Sequence, residues 1–379
     1  MSSAPVAARA LVLNAGSGTL KWTVFGGGEA VTAQGTEKWA EGGAVARRQQ
    51  VQDLLARIET PSVVGHRVVH GGATFRASIV IDSAVRAQLA SLRDIDPLHV
   101  EAALIGIDAV TAHDPNALQI AAFDTAFHAT LSEAAAIYAL PYEWTTGWGL
   151  RRYGFHGLSV AYSVRRSQTL LGYTPRRMIV CHLGNGCSVT AVADGRSIDT
   201  TMGFSPLEGM TMATRAGSVD PGLLLHLQEK CGIELDELTE VLNHRSGLLG
   251  LSGISSDLRK ILAAAQAGVP RAVLARDHFI HDARRAVGAM LGVLGGVDAI
   301  VFTGGIGENQ ASIRAGIAAA LAGLSLELDP DLNGATEADI DIAASASPVR
   351  ALVIHAREDL MVLADIRRLL GAQAGGKIA

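Results

Sequence analysis

Two copies of one strand–turn–strand pattern constrain the fold of this chain more than any other feature. The stretch VLNAGSGTLKWTV, residues 12–24, aligns without a gap with VCHLGNGCSVTAV, residues 180–192. Each copy runs from an apolar strand through Gly-X-Gly into a second strand, and such a turn typically closes a hairpin. One Gly-X-Gly is weak evidence by itself. Two copies in matched context predict a duplicated domain that presents two glycine hairpins to a cleft between its halves.

Apolar strands and amphipathic helices alternate along the chain, which predicts an α/β architecture. The length of 379 residues suits two domains. The loop LPYEWTTGWGLRRYGFHG is typical of a domain junction. We therefore expect an N-terminal domain of residues 1–145, joined by the C-terminal helix 358–379, and a C-terminal domain of residues 146–357. The predicted strands are residues 10–14, 20–25, 62–66, 79–81, 120–123, 178–181, 299–302 and 351–355, and the predicted helices are residues 83–93, 100–112, 271–295, 308–322 and 358–370.

Composition excludes several classes of function. The net charge is −5 and no run of Lys or Arg occurs, so nothing supports binding to nucleic acid or to a membrane surface. No apolar segment is long enough to span a bilayer, and the start, MSSAPVAARA, reads as a short disordered lead that lacks the apolar core of a signal peptide. The three cysteines, Cys181, Cys187 and Cys231, show no metal-ligand spacing. We expect a cytoplasmic protein without a disulfide framework.

The first glycine hairpin carries groups that suit a phosphate. Glycines let backbone N–H groups approach an anion closely, and concave runs of N–H bind phosphate oxygens. Ser17 and Thr19 add hydroxyl donors, and Lys21 adds a positive charge beyond the bend. The alternative is an ordinary hairpin with a surface lysine. The sequence of this hairpin, taken alone, favours that alternative.

An arginine and an aspartate stand at the ends of apolar strands. In HRVVHGG, Arg67 precedes a Gly-Gly turn, and its guanidinium can fork onto a carboxylate or a phosphate. A surface salt bridge is the commoner role of a single arginine. In FDTAFH, Asp124 directly follows the predicted strand 120–123, a place that commonly lies at the ligand crevice of an open α/β sheet. Capping the following helix explains Asp124 equally well.

Two loops carry further candidates for chemistry. His156 stands between glycines in RRYGFHG, where its imidazole can donate to a transferring phosphoryl group or simply pack in the loop. The long segment GFSPLEGMTMATRAGSVDPG contains Arg215, and long irregular loops in compact domains are often functional.

Two helix starts suit a nucleotide. VFTGGIGEN runs from an apolar strand into a glycine turn and a helix. SSDLR places Asp257 and Arg259 at another helix start, with Ser255 or Ser256 as the expected N-cap. These motifs together indicate phosphoryl transfer, which needs a phosphate cradle, cations around the phosphoryl oxygens and a carboxylate for Mg²⁺. Because the chain contains neither a Walker A motif nor a protein-kinase signature, its solution must be a different one.

Seven stretches carry a resemblance to a known family: LNAGSGTLK, HRVVHGG, FDTAFH, RRYGFHG, HLGNGCS, MGFSPLEGMTMATRAGSVDPG and FTGGIGEN. From residue 11 to residue 370 the chain resembles the acetate/propionate kinase family, a branch of the actin-like ATPase superfamily. The resemblance implies duplicated actin-like (ribonuclease H-like) α/β domains with a nucleotide cleft between them. It also implies a homodimer. The implied reaction is the reversible, Mg²⁺-dependent, in-line transfer of the ATP γ-phosphoryl group to acetate, which gives acetyl phosphate and ADP, with Mn²⁺ as an alternative ion.

The resemblance also implies roles for individual residues. It places Arg67 and Arg215 on the carboxylate and the transferring phosphoryl group. It makes His156 the transition-state stabiliser and Asp124 the catalytic acidic residue. Acetate is already ionised at neutral pH, so we expect Asp124 to position Mg²⁺ or water rather than to accept a proton. The other implied contacts are Asn14 and Glu358 for the metal; Arg67, Val69, Leu98, His99, Phe155 and Pro206 for the substrate; and Ser17, Thr19, Lys21, His182, Leu183, Gly184, Asn185, Gly186, Asp257, Leu258, Arg259, Gly304, Gly305, Ile306, Gly307, Glu308 and Asn309 for the nucleotide.

The acyl pocket implied by Val69, Leu98, Phe155 and Pro206 is small and apolar. One methylene in such a pocket discriminates by only ~1–3 kcal/mol. We therefore expect acetate to be preferred, propionate to be accepted and longer acids to be poor substrates.

The chain departs from the family pattern without losing a charged residue assigned to catalysis. The departures are Gly18, Thr19, Val100, Glu101, Ala356 and Arg357, of which Thr19 keeps a hydroxyl. Three other functions stay open. The first is a kinase for propionate or another short-chain carboxylate. The second is a kinase that uses pyrophosphate, against which GGIGEN argues. The third is a non-catalytic nucleotide-binding member, against which the presence of all four catalytic candidates argues.

Overall fold

The computed structural model describes residues 9–16, 18–334 and 339–375. Ser17 lies outside these residues, as do the side chain of Leu98 and residues 1–8 of the predicted lead, residues 1–10, whose last residue, Ala10, begins the first strand. The chain forms two compact units, Met1–Ala129 with Arg357–Ala379, and Thr130–Ala356. The sequence placed the boundary at residues 145 and 146, whereas the junction loop 140–157 lies within the second unit and contains a helix.

Two six-stranded sheets organise the described residues, one in each unit. Their strands are β1 (Ala10–Ala15), β2 (Thr19–Phe25), β3 (Val31–Lys38), β4 (Val63–Val68), β5 (Ile79–Val80), β6 (Leu118–Phe123), β7 (Arg177–Leu183), β8 (Cys187–Ala193), β9 (Arg196–Thr200), β10 (Ala299–Thr303), β11 (Ile340–Asp341) and β12 (Arg350–Val353).

The two sheets have the same topology. The first has the order β3-β2-β1-β4-β6-β5 and the second the order β9-β8-β7-β10-β12-β11. In each, three strands form an antiparallel meander, the first of them runs parallel to two later strands, and a two-residue strand pairs antiparallel at the far edge. The duplication predicted from the hairpin repeat is thus confirmed.

Helices fill the connections between the strands. They are α1 (Gly43–Arg57), α2 (Ser83–Ser91), α3 (Pro97–His113), α4 (Glu133–Ala136), α5 (Tyr142–Trp148), α6 (Gly157–Leu171), α7 (Pro221–Cys231), α8 (Leu235–Glu240), α9 (Gly247–Ser252), α10 (Leu258–Gln266), α11 (Pro270–Leu294), α12 (Gly304–Asn309), α13 (Ala311–Ala318), α14 (Pro330–Gly334) and α15 (Glu358–Gly375).

The C-terminal helix packs on the sheet of the first unit, where β4 lacks a side chain. A Cβ at Gly65 would lie 2.5 Å from Val362 and 2.8 Å from Ile366, both on α15. Only glycine therefore lets this helix approach the strand so closely. This contact brings Glu358, the first residue of α15, to the unit that holds Arg67.

Most predicted elements are present, and the differences have physical causes. The predicted helix 308–322 is helical but not continuous, because α12 ends at Asn309, α13 covers Ala311–Ala318 and a 3-10 helix covers Ala319–Leu324. Strand β3 escaped prediction because its sequence, VTAQGTEK, is largely polar and exposed. Helix α1 buries only Val51, Leu54 and Leu55, which leaves little apolar periodicity to detect. Among the described residues, no helix is both long and apolar enough to cross a membrane.

Candidate active site

Three neighbouring strands of the first sheet bring Asn14, Arg67 and Asp124 together. Strands β1, β4 and β6 are parallel, so their C-terminal ends meet at one edge. Arg67 Nε donates to Asp124 Oδ1 at 3.0 Å, and Nη2 donates to Oδ2 at 2.5 Å. Arg67 Nη1 donates to Asn14 Oδ1 at 3.1 Å. A bidentate pair of this kind fixes the plane of the guanidinium.

This ion pair is buried rather than on the surface. The Asp124 side chain is 1% exposed and that of Arg67 is 17% exposed. Burial acts to lower the pKa of the Arg67 guanidinium, but the charges of Asp124 and Glu358 outweigh burial and raise that pKa above its usual range. Arg67 is therefore permanently charged and interacts electrostatically with two carboxylates. Its remaining N–H groups can bind a further anion.

The first hairpin places Lys21 opposite Asn14 in the β1–β2 register. The turn is closed by the Gly16 N–H, which donates to the carbonyl oxygen of Thr19 at 2.9 Å. Lys21 is exposed and Thr19 half-buried. The described part of the hairpin thus presents a lysine next to the Asn14–Arg67 contact.

The implied substrate residues of the first unit follow β4 and begin α3. Val69 is half-buried one residue beyond β4. His99 lies in the first turn of α3, where Asp96 Oδ1 accepts from its backbone N–H at 3.3 Å and lies 2.9 Å from its Nδ1. Burial alone would raise the pKa of Asp96, but the hydrogen bond to His99 and its charge lower that pKa below its ordinary value. Asp96 thereby holds the imidazole of His99 with Nδ1 as the donor.

The second hairpin gathers two histidines. The Gly184 N–H donates to the Gly186 carbonyl at 3.0 Å to close the turn. His156 Nδ1 lies 3.0 Å from Ser188 Oγ, and His182 Nδ1 lies 2.8 Å from Ser159 Oγ. The two imidazole rings are 4.1 Å apart at an angle of 30°. His156 is also the N-cap of α6, and its backbone lies in the left-handed region with φ of 59°. This conformation is uncommon for a residue other than glycine.

Arg215 meets His156 at Gly186. A Cβ built on Gly186 would lie 3.2 Å from His156 Nε2 and 3.3 Å from Arg215 Nη2. Arg215 Nη1 donates to the carbonyl oxygen of Pro206 at 2.7 Å, and Phe155 beside His156 is 1% exposed. Residues 201–220, between β9 and α7, contain no helix or strand, as predicted. In the second unit the structure thus brings His156, His182 and Arg215 to one glycine turn.

The glycine-rich start of α12 lies beside the same hairpin. Thr303 pairs with His182 in the parallel β7–β10 register. Gly304 has φ of +76°, and a Cβ there would lie 2.7 Å from the Leu183 carbonyl oxygen. At the other end of α12, Glu308 lies 2.7 Å from His355 Nδ1 and accepts from the Ala356 N–H at 3.0 Å.

The remaining nucleotide candidates lie in the second hairpin and in two helices, and the predicted glycine turn at residues 304–307 is already helical. Asn185 and Gly186 lie in the turn of the second hairpin, Leu183 ends β7, and Gly305, Ile306, Gly307 and Asn309 lie within α12. Leu258 is buried at the start of α10.

The N-cap of α10 is Asp257, so the expectation of Ser255 or Ser256 is wrong. Asp257 accepts from the Arg259 N–H at 2.9 Å and also from its guanidinium. The Asp257 carboxylate caps the helix. The hydroxyl oxygen of Ser255 accepts from the Asp257 N–H at 3.0 Å and so does not reach the first turn of α10.

Several contributing side chains escaped the sequence reasoning. Ser159 and Ser188 orient the two histidines, and Asp96 orients His99. Tyr138 and Glu208 bond to each other across 70 residues of sequence. Only Asp96 carried a local signal, since Asp before Pro at a helix start is a typical N-cap.

Comparison with known proteins gives consistent matches over most of the chain. The model of the acetokinase family matches residues 44–364. The acetate kinase of Nostoc punctiforme is 49% identical over 308 residues, which cover 81% of this chain and 76% of the relative. The acetate kinase of Acaryochloris marina is 52% identical over 298 residues, which cover 79% and 74%.

Solved structures agree with these matches. The crystal structure of Porphyromonas gingivalis acetate kinase matches with a TM-score of 0.88 at 35% identity and covers 96% of this chain and 100% of that one. A propionate kinase from Francisella tularensis matches with a TM-score of 0.87 at 34% identity, with coverage of 94% and 98%. The expected duplicated actin-like α/β fold is therefore confirmed, and the chain belongs to the acetokinase family, whose acetate kinases are phosphotransferases that act on a carboxyl group.

Proposed function

We propose that this chain is an acetate kinase that transfers the γ-phosphoryl group of ATP to acetate, reversibly, giving acetyl phosphate and ADP. The observation that supports this most directly is the convergence of His156 and Arg215 on Gly186 in a chain of this family. A glycine turn flanked by a guanidinium and an imidazole offers both a phosphate cradle and donors for the transferring group.

The reaction mainly requires positively charged groups in the active site. Acetate is an anion at neutral pH and must approach a phosphate that is also anionic. Arg67 and Arg215 would orient the carboxylate and balance the equatorial phosphoryl oxygens, and His156 would donate from Nε2 because its Nδ1 is occupied by Ser188. Removal of one such donor typically costs ~3–4 kcal/mol of transition-state stabilisation.

Asp124 would act through Arg67 and not as a general base. Both of its oxygens accept from the Arg67 guanidinium, and acetate needs no deprotonation. Its negative charge keeps the guanidinium aligned, and a carboxylate oxygen has lone pairs left for a metal-bound water.

The oxygen donors around Arg67 fit a magnesium ion. Among the described residues, no group of three or more His, Cys, Asp or Glu side chains could hold a metal. Mg²⁺, however, commonly binds one or two protein oxygens together with water and substrate phosphates. Asn14 Oδ1 and the Asp124 carboxylate meet at Arg67, and Glu358 acts on the same guanidinium. Asn14 and Glu358 would therefore hold Mg²⁺, or Mn²⁺ in its place, which would neutralise nucleotide phosphate charge.

The nucleotide would be bound by the two hairpins and two helix starts. Lys21 and Thr19 would contact phosphate from the first hairpin, and residues 182–186 from the second. Residues 257–259 and 304–309 would surround the adenosine. The division into functional domains of residues 1–145 with 358–379 and residues 146–357 is part of this proposal.

A homodimer is the proposed assembly, and α7 supports it. This helix buries none of its residues, and its Leu223 and Leu225 are 47% and 59% exposed. Large apolar side chains left exposed on a helix of one chain can mark a surface that pairs with a partner. The proposed compartment is the cytoplasm, where the free cysteines of the described chain would stay reduced.

Hydroxylamine trapping of acyl phosphate tests the activity. Purified protein, Mg²⁺ and ATP are incubated with acetate, propionate or butyrate. We expect strong signal with acetate, weaker signal with propionate, and loss of signal in Arg215→Ala. The matched control is Arg176→Ala, whose side chain is 83% exposed.

Other outcomes would favour the alternatives. Propionate turned over faster than acetate would make the chain a propionate kinase, like the Francisella tularensis neighbour. Tight ATP binding without acyl phosphate from any acid would support a non-catalytic nucleotide-binding protein.

A further inference from the structure

A half-buried polar cluster formed by Tyr138, Arg152 and Glu208 lies at the base of the loop 201–220. The Tyr138 hydroxyl donates to Glu208 Oε2, and Arg152 Nη2 donates to Glu208 Oε1 at 2.7 Å. Arg152 also lies with its guanidinium carbon 5.7 Å from the centre of the Tyr138 ring. Both carboxylate oxygens of Glu208 are thus engaged by donors from a different part of the chain.

Arg152 and Tyr138 also bind the backbone at the start of the loop. Arg152 Nη1 lies 3.2, 3.1 and 3.1 Å from the carbonyl oxygens of Thr200, Thr201 and Met202. The Tyr138 hydroxyl oxygen accepts from the Phe204 N–H at 2.8 Å. The cluster therefore holds the loop both where it leaves β9 and at Glu208.

Gly203 is the point where the backbone passes closest to the cluster. A Cβ there would lie 1.7 Å from Glu208 Oε2 and 2.1 Å from the Tyr138 hydroxyl oxygen. The Gly203 carbonyl accepts from the N–H groups of Tyr153 and Gly154 at 3.0 and 3.3 Å. Any side chain at residue 203 would therefore displace the cluster.

These contacts join two of the segments that carry the proposed acyl pocket, those of Phe155 and Pro206. Residues 203 and 208 bracket Pro206, whose carbonyl oxygen accepts from Arg215. Residues 152–154 lead directly into Phe155 and His156. Burial and the bond to Glu208 raise the pKa of Tyr138 well above its ordinary value, so its hydroxyl stays a donor over the working pH range.

We propose that Glu208, held by Tyr138 and Arg152, is a positioning residue that sets Pro206 and Arg215 against Phe155 and His156 and so controls which carboxylic acid is accepted. This inference rests on the proposed kinase function. Glu208 itself would not touch substrate, since both of its oxygens serve the cluster. Its loss should impair binding and positioning of the carboxylic acid and leave ATP binding unchanged.

Two variants test this with matched controls. Glu208→Gln keeps the shape of the side chain and removes its charge, and Tyr138→Phe keeps the ring over Arg152 and removes only the hydroxyl. The control is Glu237→Gln on α8, whose side chain is 52% exposed. Acyl-phosphate formation is measured with acetate, propionate and butyrate, and KM is determined separately for each acid and for ATP.

The expected result is a split between the two substrates. Small misplacements of substrate-positioning groups cost up to ~100-fold in rate. We expect kcat/KM for acetate to fall about 10- to 100-fold in Glu208→Gln, with a smaller fall in Tyr138→Phe. Propionate and butyrate should lose less than acetate, while KM for ATP and the melting temperature stay near those of Glu237→Gln.

Hydrogen exchange supplies a readout that needs no activity. In both variants, the amides of residues 201–218 and of Tyr153 and Gly154 should exchange faster, while those of β7 and β10 should not. Unchanged exchange in these segments would overturn the proposal. So would a parallel loss of acetate turnover, ATP affinity and melting temperature, since that pattern marks a merely structural residue. A wild-type chain that forms no acyl phosphate would instead overturn the proposed function, and exchange would still decide whether Glu208 holds the loop.

Discussion

Substituting Arg67 alone, and Arg67 together with Asp124, should affect the stability of the protein differently from its catalytic rate. Arg67→Met leaves the Asp124 carboxylate, whose side chain is 1% exposed, without its bidentate partner. Removing one member of such a buried pair costs about 3–5 kcal/mol, because an uncompensated charge stays behind. In Arg67→Met with Asp124→Asn the buried carboxylate charge is removed as well, so the double variant should regain most of that stability.

Catalysis should not follow the stability. If Arg67 balances charge on the acyl or phosphoryl group, both variants lack that donor, and kcat should stay about 100- to 1000-fold down in each. The assays are urea unfolding, read as the shift in midpoint, and hydroxylamine trapping with acetate. Arg176→Met serves as the control, because the Arg176 side chain is 83% exposed.

Two results would refute this reasoning. A single Arg67→Met variant as stable as Arg176→Met would mean that Asp124 carries no buried charge. A double variant with near wild-type turnover would mean that Arg67 serves structure alone.

Three further predictions concern pH, space and pocket depth. Burial lowers the pKa of His66 from 6.5 to about 4, so the unfolded chain binds more protons between those pH values. Stability should therefore fall by about 3 kcal/mol from pH 6.5 to pH 4, and urea midpoints of His66→Gln should lack that part of the pH slope. Gly186→Ala would set a methyl group 3.2 Å from His156 Nε2; kcat should fall with little change in melting temperature, and an unchanged kcat would count against a role for that turn. Val69→Ala should deepen the proposed acyl pocket and raise butyrate turnover relative to acetate, and an unchanged ratio in the trapping assay would place the pocket elsewhere.

The strand ends were predictable because their chemistry is local. Arg67 lies near the end of one largely apolar strand and Asp124 directly follows another, and parallel strands end at one edge, so a common site for both could be expected from the sequence. The cluster at Glu208 could not be predicted in this way. Tyr138 lies 70 residues from Glu208, and neither residue sits in a pattern that distinguishes it from a surface side chain. Contacts of this kind arise from tertiary packing, which local sequence periodicity does not reveal.

The hairpin repeat shows a subtler limit of sequence comparison. The two copies align without a gap, yet their registers differ by one residue. Asn14 pairs with Lys21 in the first hairpin, whereas His182 pairs with Ser188 in the second, so the partners are seven residues apart in one copy and six in the other.

A shift of one residue turns a strand's side chains to the opposite face. Ser188, which aligns with the fully buried Leu20, is therefore the residue across from His182, and its hydroxyl lies 3.0 Å from His156 Nδ1. The residue that aligns with Lys21 is Val189, which faces Cys181 instead. The duplication thus preserved the strand–turn–strand hairpin, while a one-residue difference in register decided which side chains lie beside the first strand's polar residue. That is why a gapless alignment predicted both hairpins and still missed the serine that orients the proposed catalytic histidine.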